Sequence, residues 1–261
     1  MVTICVTGST DGIGLATAGV LLRRGHRVLL HARTEERGRP VVAELARSVP
    51  AGQVELVTGD LARLDDVGRL AGQLRDRGPV DVLVHNAGVW VRGDTPAVTV
   101  DGFETTFAVN VLAPHLLTSL LDDVVTGRVV WLGSGMAGSG RFDPARIDAV
   151  AGTPRDAKRA YADSKACDVA LAGAWGRRRP QLACAAVDPG WVRTKLASAG
   201  APGHVGTSAD SLAFCCLDAD LASAPYWKGR RPIRVPADLA DPVRQDALAA
   251  ACDDLLGIGS H

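Results

Sequence analysis

A short apolar run followed by glycines opens the chain, where residues 3–14 read Thr3-Ile4-Cys5-Val6-Thr7-Gly8-Ser9-Thr10-Asp11-Gly12-Ile13-Gly14. The run predicts a strand, and the apolar spacing that follows predicts a helix. Glycines between a strand and a helix permit a tight turn and let the backbone approach a pyrophosphate at the helix N-terminus. A plain turn capped by glycines is the alternative interpretation. Because no Gly-Lys-Ser/Thr follows, the loop is not a P-loop, and ATP or GTP hydrolysis is disfavoured.

Short apolar runs and longer helical stretches keep alternating after this loop, up to about residue 187. Nearly all of the predicted strands are continuous apolar runs, which is typical of strands buried on both faces. This order predicts an α/β fold, a Rossmann-type doubly wound parallel sheet with helices on both faces. The predicted strands are Thr3–Thr7, Arg27–Ala32, Val54–Thr58, Val80–His85, Val129–Leu132 and Leu182–Val187, and the predicted helices are Gly12–Arg24, Glu35–Val49 with Thr34 as N-cap, Leu64–Arg77, Phe103–Asp122 and Ala157–Trp175.

The pattern changes after the sixth predicted strand. Residues Gly190–Thr207 are rich in glycine, alanine and serine and predict a loop, and a last helix is expected at Leu239–Leu256. We therefore expect one domain over residues 1–261, in which residues 195–235 form a small substrate-side lid and residues 239–256 form the C-terminal helix.

The composition disfavours several classes of function. The 261 residues carry 29 basic and 29 acidic side chains, a balance that argues against a nucleic-acid binder or a polybasic membrane-surface protein. No apolar run has the length of a membrane span, and the N-terminus lacks the pattern of a signal peptide. We expect a cytoplasmic protein without nucleic-acid or membrane partners, whose 6 cysteines are buried and reduced.

Four motifs, in chain order, resemble those of the short-chain dehydrogenase/reductase family. The loop Thr7–Gly14 resembles the family's T-G-x-x-x-G-x-G, and His85-Asn86-Ala87-Gly88 resembles its N-N-A-G, with His85 in place of the first Asn. Tyr161 and Lys165 form a Y-x-x-x-K motif, and Pro189-Gly190 matches the P-G motif after the sixth strand. The matches cover Thr3 to about Thr194, and Tyr226-Trp227 and the last helix resemble the retinol-dehydrogenase-like branch more loosely.

The resemblance implies a carbonyl–alcohol oxidoreductase that uses a nicotinamide dinucleotide. It implies catalytic roles for Asn110, Ser134, Tyr161 and Lys165, with Ser139 as a weaker competitor for the role of Ser134. Asn110 is implied to hold a helix distortion and a water linked to Lys165. The long spacing from Ser134 to Tyr161 implies an insertion near the active site. The expected cofactor contacts are Thr7, Gly8, Ser9, Asp11, Gly12, Ile13, Gly14, Arg33, Asp60, Leu61, Asn86, Ala87, Gly88, Tyr161, Lys165, Pro189, Gly190, Val192 and Thr194.

Tyr161 and Lys165 are four residues apart in a predicted helix and therefore share a face. A phenol has an ordinary pKa near 10, and an adjacent ammonium lowers it because the charge favours the phenolate. Lowering the pKa by about three units takes about 4 kcal/mol, which a cation in a partly dry pocket can supply. Tyr161 could then exchange a proton with a carbonyl or alcohol oxygen near neutral pH. The alternative is a half-buried helix tyrosine beside a solvated lysine.

The end of the second strand predicts which dinucleotide is preferred. An acid there binds the adenosine ribose hydroxyls and favours NAD, but this chain has Ala32 followed by Arg33. A guanidinium suits a 2′-phosphate, so we predict NADP(H), with NAD(H) as the alternative and Arg37 as additional help. The contrary signals are Asp11 in the glycine loop, and Glu35 and Glu36 close to Arg33.

The expected partner is a small carbonyl or alcohol substrate of hydrophobic character. Candidate walls are the stretch 90–94, the stretch 136–147 with Met136 and Phe142, and Trp191 with the loop 196–207. A non-catalytic dinucleotide-sensing protein and a sugar-nucleotide epimerase or dehydratase are the rival interpretations. A serine hydrolase and a zinc dehydrogenase are disfavoured, since the chain has no G-x-S-x-G motif and no zinc-ligand spacing. A homodimer or a homotetramer is compatible with the sequence.

Overall fold

The computed structural model describes residues 1–91, 97–147, 151, 156–192, 203–223 and 225–259. An 8-stranded sheet in the order β3-β2-β1-β4-β5-β6-β7-β8 forms the centre of this part of the chain. Neighbouring strands are parallel, apart from the antiparallel pair of β7 and β8. The strands are β1 Thr3–Val6, β2 Arg27–Ala32, β3 Val54–Thr58, β4 Val80–His85, β5 Val125–Leu132, β6 Ala183–Asp188, β7 Tyr226–Lys228 and β8 Arg231–Pro232.

Helices cover both faces of this sheet. Short 3₁₀ turns lie at Gly135–Ser139, Pro144–Arg146 and Leu221–Ser223. The helices are α1 Gly12–Arg23, α2 Glu35–Ala46, α3 Leu64–Arg75, α4 Thr105–Phe107, a π-helical turn at Ala108–Leu112, α5 Ala113–Leu120, α6 Ala157–Arg178, α7 Val205–Leu217, α8 Ala237–Ala240 and α9 Pro242–Leu256.

Alternation along β1 shows why its sequence is apolar throughout. Ile4 and Val6 belong to one buried cluster, whereas Cys5 belongs to the cluster on the other face of the sheet. Successive side chains of a strand point to opposite faces, so a strand covered on both faces needs apolar residues at every position. The predicted doubly wound parallel sheet is confirmed.

Several element boundaries differ from the sequence predictions. The helix predicted at Phe103–Asp122 begins only at Thr105 and contains the π-helical turn. The buried carboxylate of Glu104 caps its start by accepting hydrogen bonds from the amides of Thr106 and Phe107, at 3.0 and 2.8 Å. The predicted N-cap residue Thr34 has the extended backbone of an N-cap, but its side chain makes no cap hydrogen bond.

The C-terminal third contains more regular structure than predicted. Helix α7 starts at Val205, inside the stretch predicted as a loop, and β7 and β8 extend the sheet beyond β6. The predicted last helix is split, because Asp241 adopts an extended backbone and Pro242 begins a new helix, α9. The Asp241 side chain caps α9 by accepting a hydrogen bond from the amide of Val243 at 3.0 Å.

The cysteines are free thiols within the folded interior, as predicted: Cys5, Cys167, Cys184, Cys215, Cys216 and Cys252 are all buried. Burial raises the pKa of the Cys5 thiol to about 12, against a smaller lowering effect of Arg77. Among the helices of the described residues, none has both the length and the apolar character needed to span a bilayer.

His85 is a buried imidazole at the end of β4. Its Nε2 lies 2.7 Å from the Thr118 hydroxyl, which itself donates to the carbonyl of Pro114 at 2.8 Å. The imidazole must therefore donate, which places its hydrogen on Nε2. Burial, with a smaller contribution from His115, lowers the pKa of His85 to about 3. The folded state thus holds His85 neutral.

We predict that His85→Asn weakens the dependence of stability on acid pH. The unfolded chain takes up a proton on His85 below about pH 6.5, whereas the folded chain does not until about pH 3, so stability is lost as the pH falls through this window. Asn keeps a donor for Thr118 and cannot become charged. The loss of unfolding free energy between about pH 7 and pH 4.5, measured by urea denaturation, should shrink by about 2 kcal/mol. The exposed His204 provides the control, and an equal effect of His204→Asn would contradict the prediction.

Candidate active site

Asn86 joins the glycine loop to the end of the neighbouring strand β4. Its Nδ2 donates to the carbonyls of Thr7 and Gly8, at 2.8 and 3.2 Å. In return the Ala87 amide donates to the Thr7 hydroxyl at 3.0 Å. Gly8 has a φ of 63°, in the left-handed region that favours glycine. A Cβ at Gly14 would lie 2.4 Å from Asn86 Nδ2, so the loop has no room for a side chain there.

His31 supports the same loop from the end of β2. Its Nδ1 accepts a hydrogen bond from the Gly8 amide at 2.9 Å, which leaves Nε2–H to donate to the carbonyl of Gly59 at 2.9 Å. Burial lowers the pKa of His31 to about 4, with small opposing effects from Gly59 and Asp60. The sequence did not predict this role, because a histidine in an apolar strand carries no signal of its own.

A cavity of about 1050 Å³ opens at the carboxyl ends of the strands, across the point where β1 lies between β2 and β4. Ligands of open α/β sheets bind in such crevices. Thr7, Ser9 and Asn110 are buried behind the cavity wall, and Thr194 lies outside the described residues. The other predicted site residues all line it, namely Gly8, Asp11, Gly12, Ile13, Gly14, Arg33, Asp60, Leu61, Asn86, Ala87, Gly88, Ser134, Tyr161, Lys165, Pro189, Gly190 and Val192.

The cavity wall beyond β2 is basic. Arg33 and Arg37 line it, both are exposed, and neither makes a hydrogen bond or an ion pair within the described part of the chain. Glu35, a contrary signal in the sequence, is bound by Arg39 at 2.6 Å. Asp11 caps α1 by accepting a hydrogen bond from the Gly12 amide at 2.8 Å. Two guanidinium groups are therefore available to an anionic ligand.

Helix α6 brings Tyr161 and Lys165 to the opposite wall. The Lys165 Nζ lies 5.7 Å from the centroid of the Tyr161 ring. It donates to the Leu132 carbonyl at 2.7 Å and to Asp168 Oδ2 at 2.8 Å. The Trp90 indole stacks on the Tyr161 ring, with ring centroids 4.8 Å apart and ring planes 10° apart.

Lys165 and Asp168 form a buried ion pair that the sequence analysis did not identify. Burial lowers the pKa of Lys165, but Asp168 and Tyr161 raise it, for a net rise. Burial raises the pKa of Asp168 to about 6, although the Lys165 ammonium opposes this shift. The sequence did contain a signal for this pair, because residues three apart on a helix, such as Lys165 and Asp168, lie next to each other.

Asn110 lies in the π-helical turn, in agreement with the helix distortion that the resemblance implies. Its Oδ1 accepts from the Val89 amide at 2.8 Å, and its Nδ2 donates to the Val89 carbonyl and the Ser164 hydroxyl, each at 3.0 Å. It makes no direct contact with Lys165 within hydrogen-bonding distance. Asn110 thus connects the chain after β4 to helix α6.

Ser134 begins the 3₁₀ turn after β5, and its hydroxyl accepts from the Met136 amide at 3.2 Å. The Tyr226 hydroxyl of β7 donates to the Ser134 carbonyl at 3.2 Å. Ser139, the weaker candidate, donates to the Met136 carbonyl and does not line the cavity. Of the expected insertion after Ser134, residues 148–150 and 152–155 lie outside the described residues.

The loop after β6 forms the far end of the cavity. Asp188 accepts a hydrogen bond from the Gly190 amide at 2.8 Å, and Gly190 has a φ of 83°. The Ser208 hydroxyl of α7 donates to the Pro189 carbonyl at 2.7 Å. These bonds hold the predicted Pro-Gly motif against the end of the sheet.

Only some of the candidate substrate-wall residues lie at the cavity. Trp90, Met136 and Trp191 line the cavity, and Trp191 is 61% exposed at its mouth. Phe142 was wrongly expected there, because it is buried in the main hydrophobic cluster with the Arg244 guanidinium over its ring. Residues 92–94 and 196–202 lie outside the described residues.

The residues present fit a nicotinamide dinucleotide. Gly8 lies so close to Ala87 that an added Cβ would come within 2.9 Å of the Ala87 backbone. The loop at the N-terminus of α1 therefore presents bare backbone at this point. Such a surface suits a pyrophosphate, because the amides and the helix dipole favour negative charge. The guanidinium groups of Arg33 and Arg37, which have no partner among the described residues, lie on the side where the adenosine end would lie.

Comparisons with known proteins agree with this geometry. Residues 2–202 match the family model described as short chain dehydrogenase. An uncharacterized oxidoreductase of Emericella nidulans is 33% identical over 99% of this chain and 98% of its own length. The Streptomyces sp. (strain C5) protein DnrU, provisionally named a daunorubicin C-13 ketoreductase, is 38% identical over 74% of this chain and 67% of its own length.

A solved structure extends the likeness to the whole fold. A protein of uncharacterized function from Mycobacterium paratuberculosis superimposes with a TM-score of 0.81, at 26% identity, over 98% of this chain and 94% of its own. The chain therefore belongs to the short-chain dehydrogenase/reductase family and is an oxidoreductase.

We predict that Gly14→Ala destabilises the protein, whereas Gly72→Ala does not. The new Cβ at Gly14 would meet Asn86 Nδ2 and the Gly8 carbonyl at 2.4 and 2.6 Å and displace the loop. Gly72, in helix α3, has open space around it, so Ala gains helix propensity there. We expect a cost of about 1–3 kcal/mol for Gly14→Ala, seen as a lower Tm in thermal unfolding. Equal Tm values for the two variants would show that the contact does not constrain the loop.

Proposed function

We propose that this enzyme interconverts a carbonyl and an alcohol with NADP(H), and that Tyr161 donates and accepts the proton. The arrangement of Tyr161 and Lys165 on one turn of α6 carries this proposal. Both side chains line the cavity that also contains the glycine loop, so a proton carrier and a dinucleotide site share one space.

The dinucleotide supplies the hydride when it is bound, and the chain supplies orientation and the proton. Reduction of a ketone adds a hydride to the carbonyl carbon and a proton to its oxygen. Tyr161 holds that proton at its hydroxyl, and the Lys165 ammonium favours the phenolate left after transfer. The stacked Trp90 indole covers the Tyr161 ring and limits the access of water to it.

Ser134 and Asn110 have different tasks in this proposal. The Ser134 hydroxyl lies at the cavity wall, where it can donate to the substrate oxygen and align it with Tyr161. Asn110 acts through the backbone of Val89 and through Ser164, and so fixes the position of α6. Lys165, with one donor position not used by Leu132 or Asp168, can also bind the nicotinamide ribose.

The basic wall supports NADP(H) over NAD(H). A 2′-phosphate carries a charge that two guanidinium groups, Arg33 and Arg37, can bind through paired hydrogen bonds. Glu35 is an acid near this position that could bind ribose hydroxyls, but it forms an ion pair with Arg39. The preference therefore depends on the charge at the end of β2.

The cavity mouth supports a hydrophobic substrate. Val98, Val100 and Trp191 line it and expose 38%, 71% and 61% of their surface. Large exposed apolar groups at the mouth of a cavity are typical of a site that covers an apolar ligand. The family relative DnrU carries a name that specifies a ketone reaction, which supports the same reaction type.

We predict that Tyr161→Phe abolishes turnover and leaves NADPH binding unchanged. The substitution removes only the hydroxyl that carries the proton, and general acid–base catalysis contributes about 10²–10⁴-fold. NADPH oxidation with a panel of apolar ketones measures turnover, and NADPH fluorescence measures binding. Substantial residual activity would assign the proton to another group, while NADPH binding without turnover in the wild type would favour a dinucleotide sensor.

We predict that Arg33→Asp raises the Kd for NADPH about 10–100-fold and changes the Kd for NADH far less. The reason is that a charge-assisted, paired contact to the 2′-phosphate is lost only with NADPH. Arg47→Asp is the matched control, since Arg47 is an exposed arginine at the end of α2 that pairs with Glu44 and does not line the cavity. Fluorescence titration with both dinucleotides decides the question, and equal effects on the two would remove Arg33 from the specificity argument.

A further inference from the structure

Lys165 is an ammonium group in an unusual place. Only 4% of the surface of Lys165 is exposed, although the role that the family resemblance implies for Lys165 requires a positive charge. Transfer of an ammonium from water into a protein interior disfavours the charged form, and buried lysines can lose several pKa units for this reason. Something in the structure must therefore compensate the buried charge.

Asp168 is the group that provides this compensation. Its Oδ2 lies 2.8 Å from Lys165 Nζ, one turn further along α6. Asp168 is itself 2% exposed, and its Oδ1 has no hydrogen-bond partner among the described residues. A carboxylate buried in this way is costly unless it is paired, so its place beside Lys165 calls for a reason beyond packing.

No other anion competes for the ammonium within the described residues. On α6, Tyr161 is the other titratable group that acts on Lys165. Strand β5 contributes the Leu132 carbonyl, which is uncharged. At the carboxyl ends of the neighbouring strands, Asp188 of β6 accepts from Gly190 and lies 3.7 Å from Lys228 of β7, and His85 of β4 has a pKa lowered to about 3.

We propose that Asp168 is a positioning residue that keeps Lys165 protonated and fixes its ammonium beside Tyr161. The inference rests on the proposed function, because it gives Lys165 its purpose. The carboxylate acts on Lys165 in two ways: its charge opposes the effect of burial, and its oxygen orients the ammonium together with the Leu132 carbonyl. Asp168→Asn separates these effects, since the amide oxygen still accepts a hydrogen bond but carries no charge.

The titration of Lys165 can be followed without any turnover. The chain contains only four lysines, Lys158, Lys165, Lys195 and Lys228. With ¹³C-labelled lysine, NMR resolves each side chain, and the Lys165 signal is assigned by its absence in Lys165→Arg. In Asp168→Asn we expect the Lys165 titration midpoint to fall by at least one pH unit, which is a tenfold change in the proton affinity of the ammonium.

The matched control is Asp163→Asn. Asp163 is a buried carboxylate on the same helix, but it pairs with Arg159 at 2.9 Å and accepts from the Arg141 amide at 2.7 Å. Its loss should leave the Lys165 midpoint in place. An unchanged midpoint in Asp168→Asn, or an equal fall in both variants, would overturn the proposal.

Asp168→Glu is the conservative variant, because it keeps the negative charge beside Lys165. It should retain a Lys165 titration midpoint close to that of the wild type, whereas Asp168→Asn should not. A midpoint that falls equally in Asp168→Glu and Asp168→Asn would contradict the role assigned to the charge.

Activity provides the final arm of the experiment. With NADPH and a ketone turned over by the wild type, Asp168→Asn should lose activity as the pH rises, at a pH where the wild type and Asp163→Asn remain active. Equal pH profiles for Asp168→Asn and the wild type would count against the proposal. If the wild type reduces no ketone, the proposed function fails, whereas the NMR titration still decides the role of Asp168.

Discussion

The whole site depends on one amide, the side chain of Asn86. It fastens the carboxyl ends of two adjacent parallel strands by donating to the carbonyls of Thr7 and Gly8. This places the glycine loop after β1 directly against the turn after β4, with no space between Gly14 and the amide. Asn86 Oδ1 is left buried without a partner among the described residues, a cost of about 1–3 kcal/mol that the structure tolerates for this geometry. The contact of Asn86 with Thr7 and Gly8 thus fixes the part of the cavity wall that the glycine loop forms.

A second constraint, the π-helical turn, positions the helix that carries Tyr161 and Lys165. The π-helical turn inserts one extra residue per turn into an otherwise α-helical segment and thereby directs Asn110 inward. Through Val89 and Ser164, Asn110 connects the segment after β4 with helix α6, which carries Tyr161 and Lys165. Strand β5 completes the frame, because the Leu132 carbonyl holds the Lys165 ammonium. The reacting groups thus stand on rigid elements that are bonded to one another.

Much of the fold could be predicted from the sequence because strands such as β1 are apolar at every position, and only a sheet covered on both faces requires this. The apolar spacing did not predict the π-helical turn, since one extra residue leaves the spacing of a buried helix nearly unchanged; only the family resemblance implied a distortion at Asn110. Helix α7 was missed because its small residues resemble loop composition, although Leu212 and Cys216 pack into the core.

The candidate site was predictable to a different degree. The motif residues were identified from their order along the chain, and the described ones line a single cavity, apart from Thr7, Ser9 and Asn110, which are buried behind its wall. His31 and Asp168 were missed for another reason: each acts through a neighbour, Gly8 in one case and Lys165 in the other. A pattern of residue types shows which groups could react, but the groups that hold them become visible only when distances are known.

The burial of every cysteine has a practical consequence for work with this enzyme. The thiolate is the nucleophile in alkylation, and a thiol such as Cys5, with a pKa raised to about 12 by burial, carries almost none of it at neutral pH. Electrophilic enones can therefore be offered as substrates without covalent attachment to these buried thiols. For the same reason, a single cysteine introduced at the exposed Trp191 would accept a maleimide dye selectively, and the dye would report on occupancy at the mouth of the cavity.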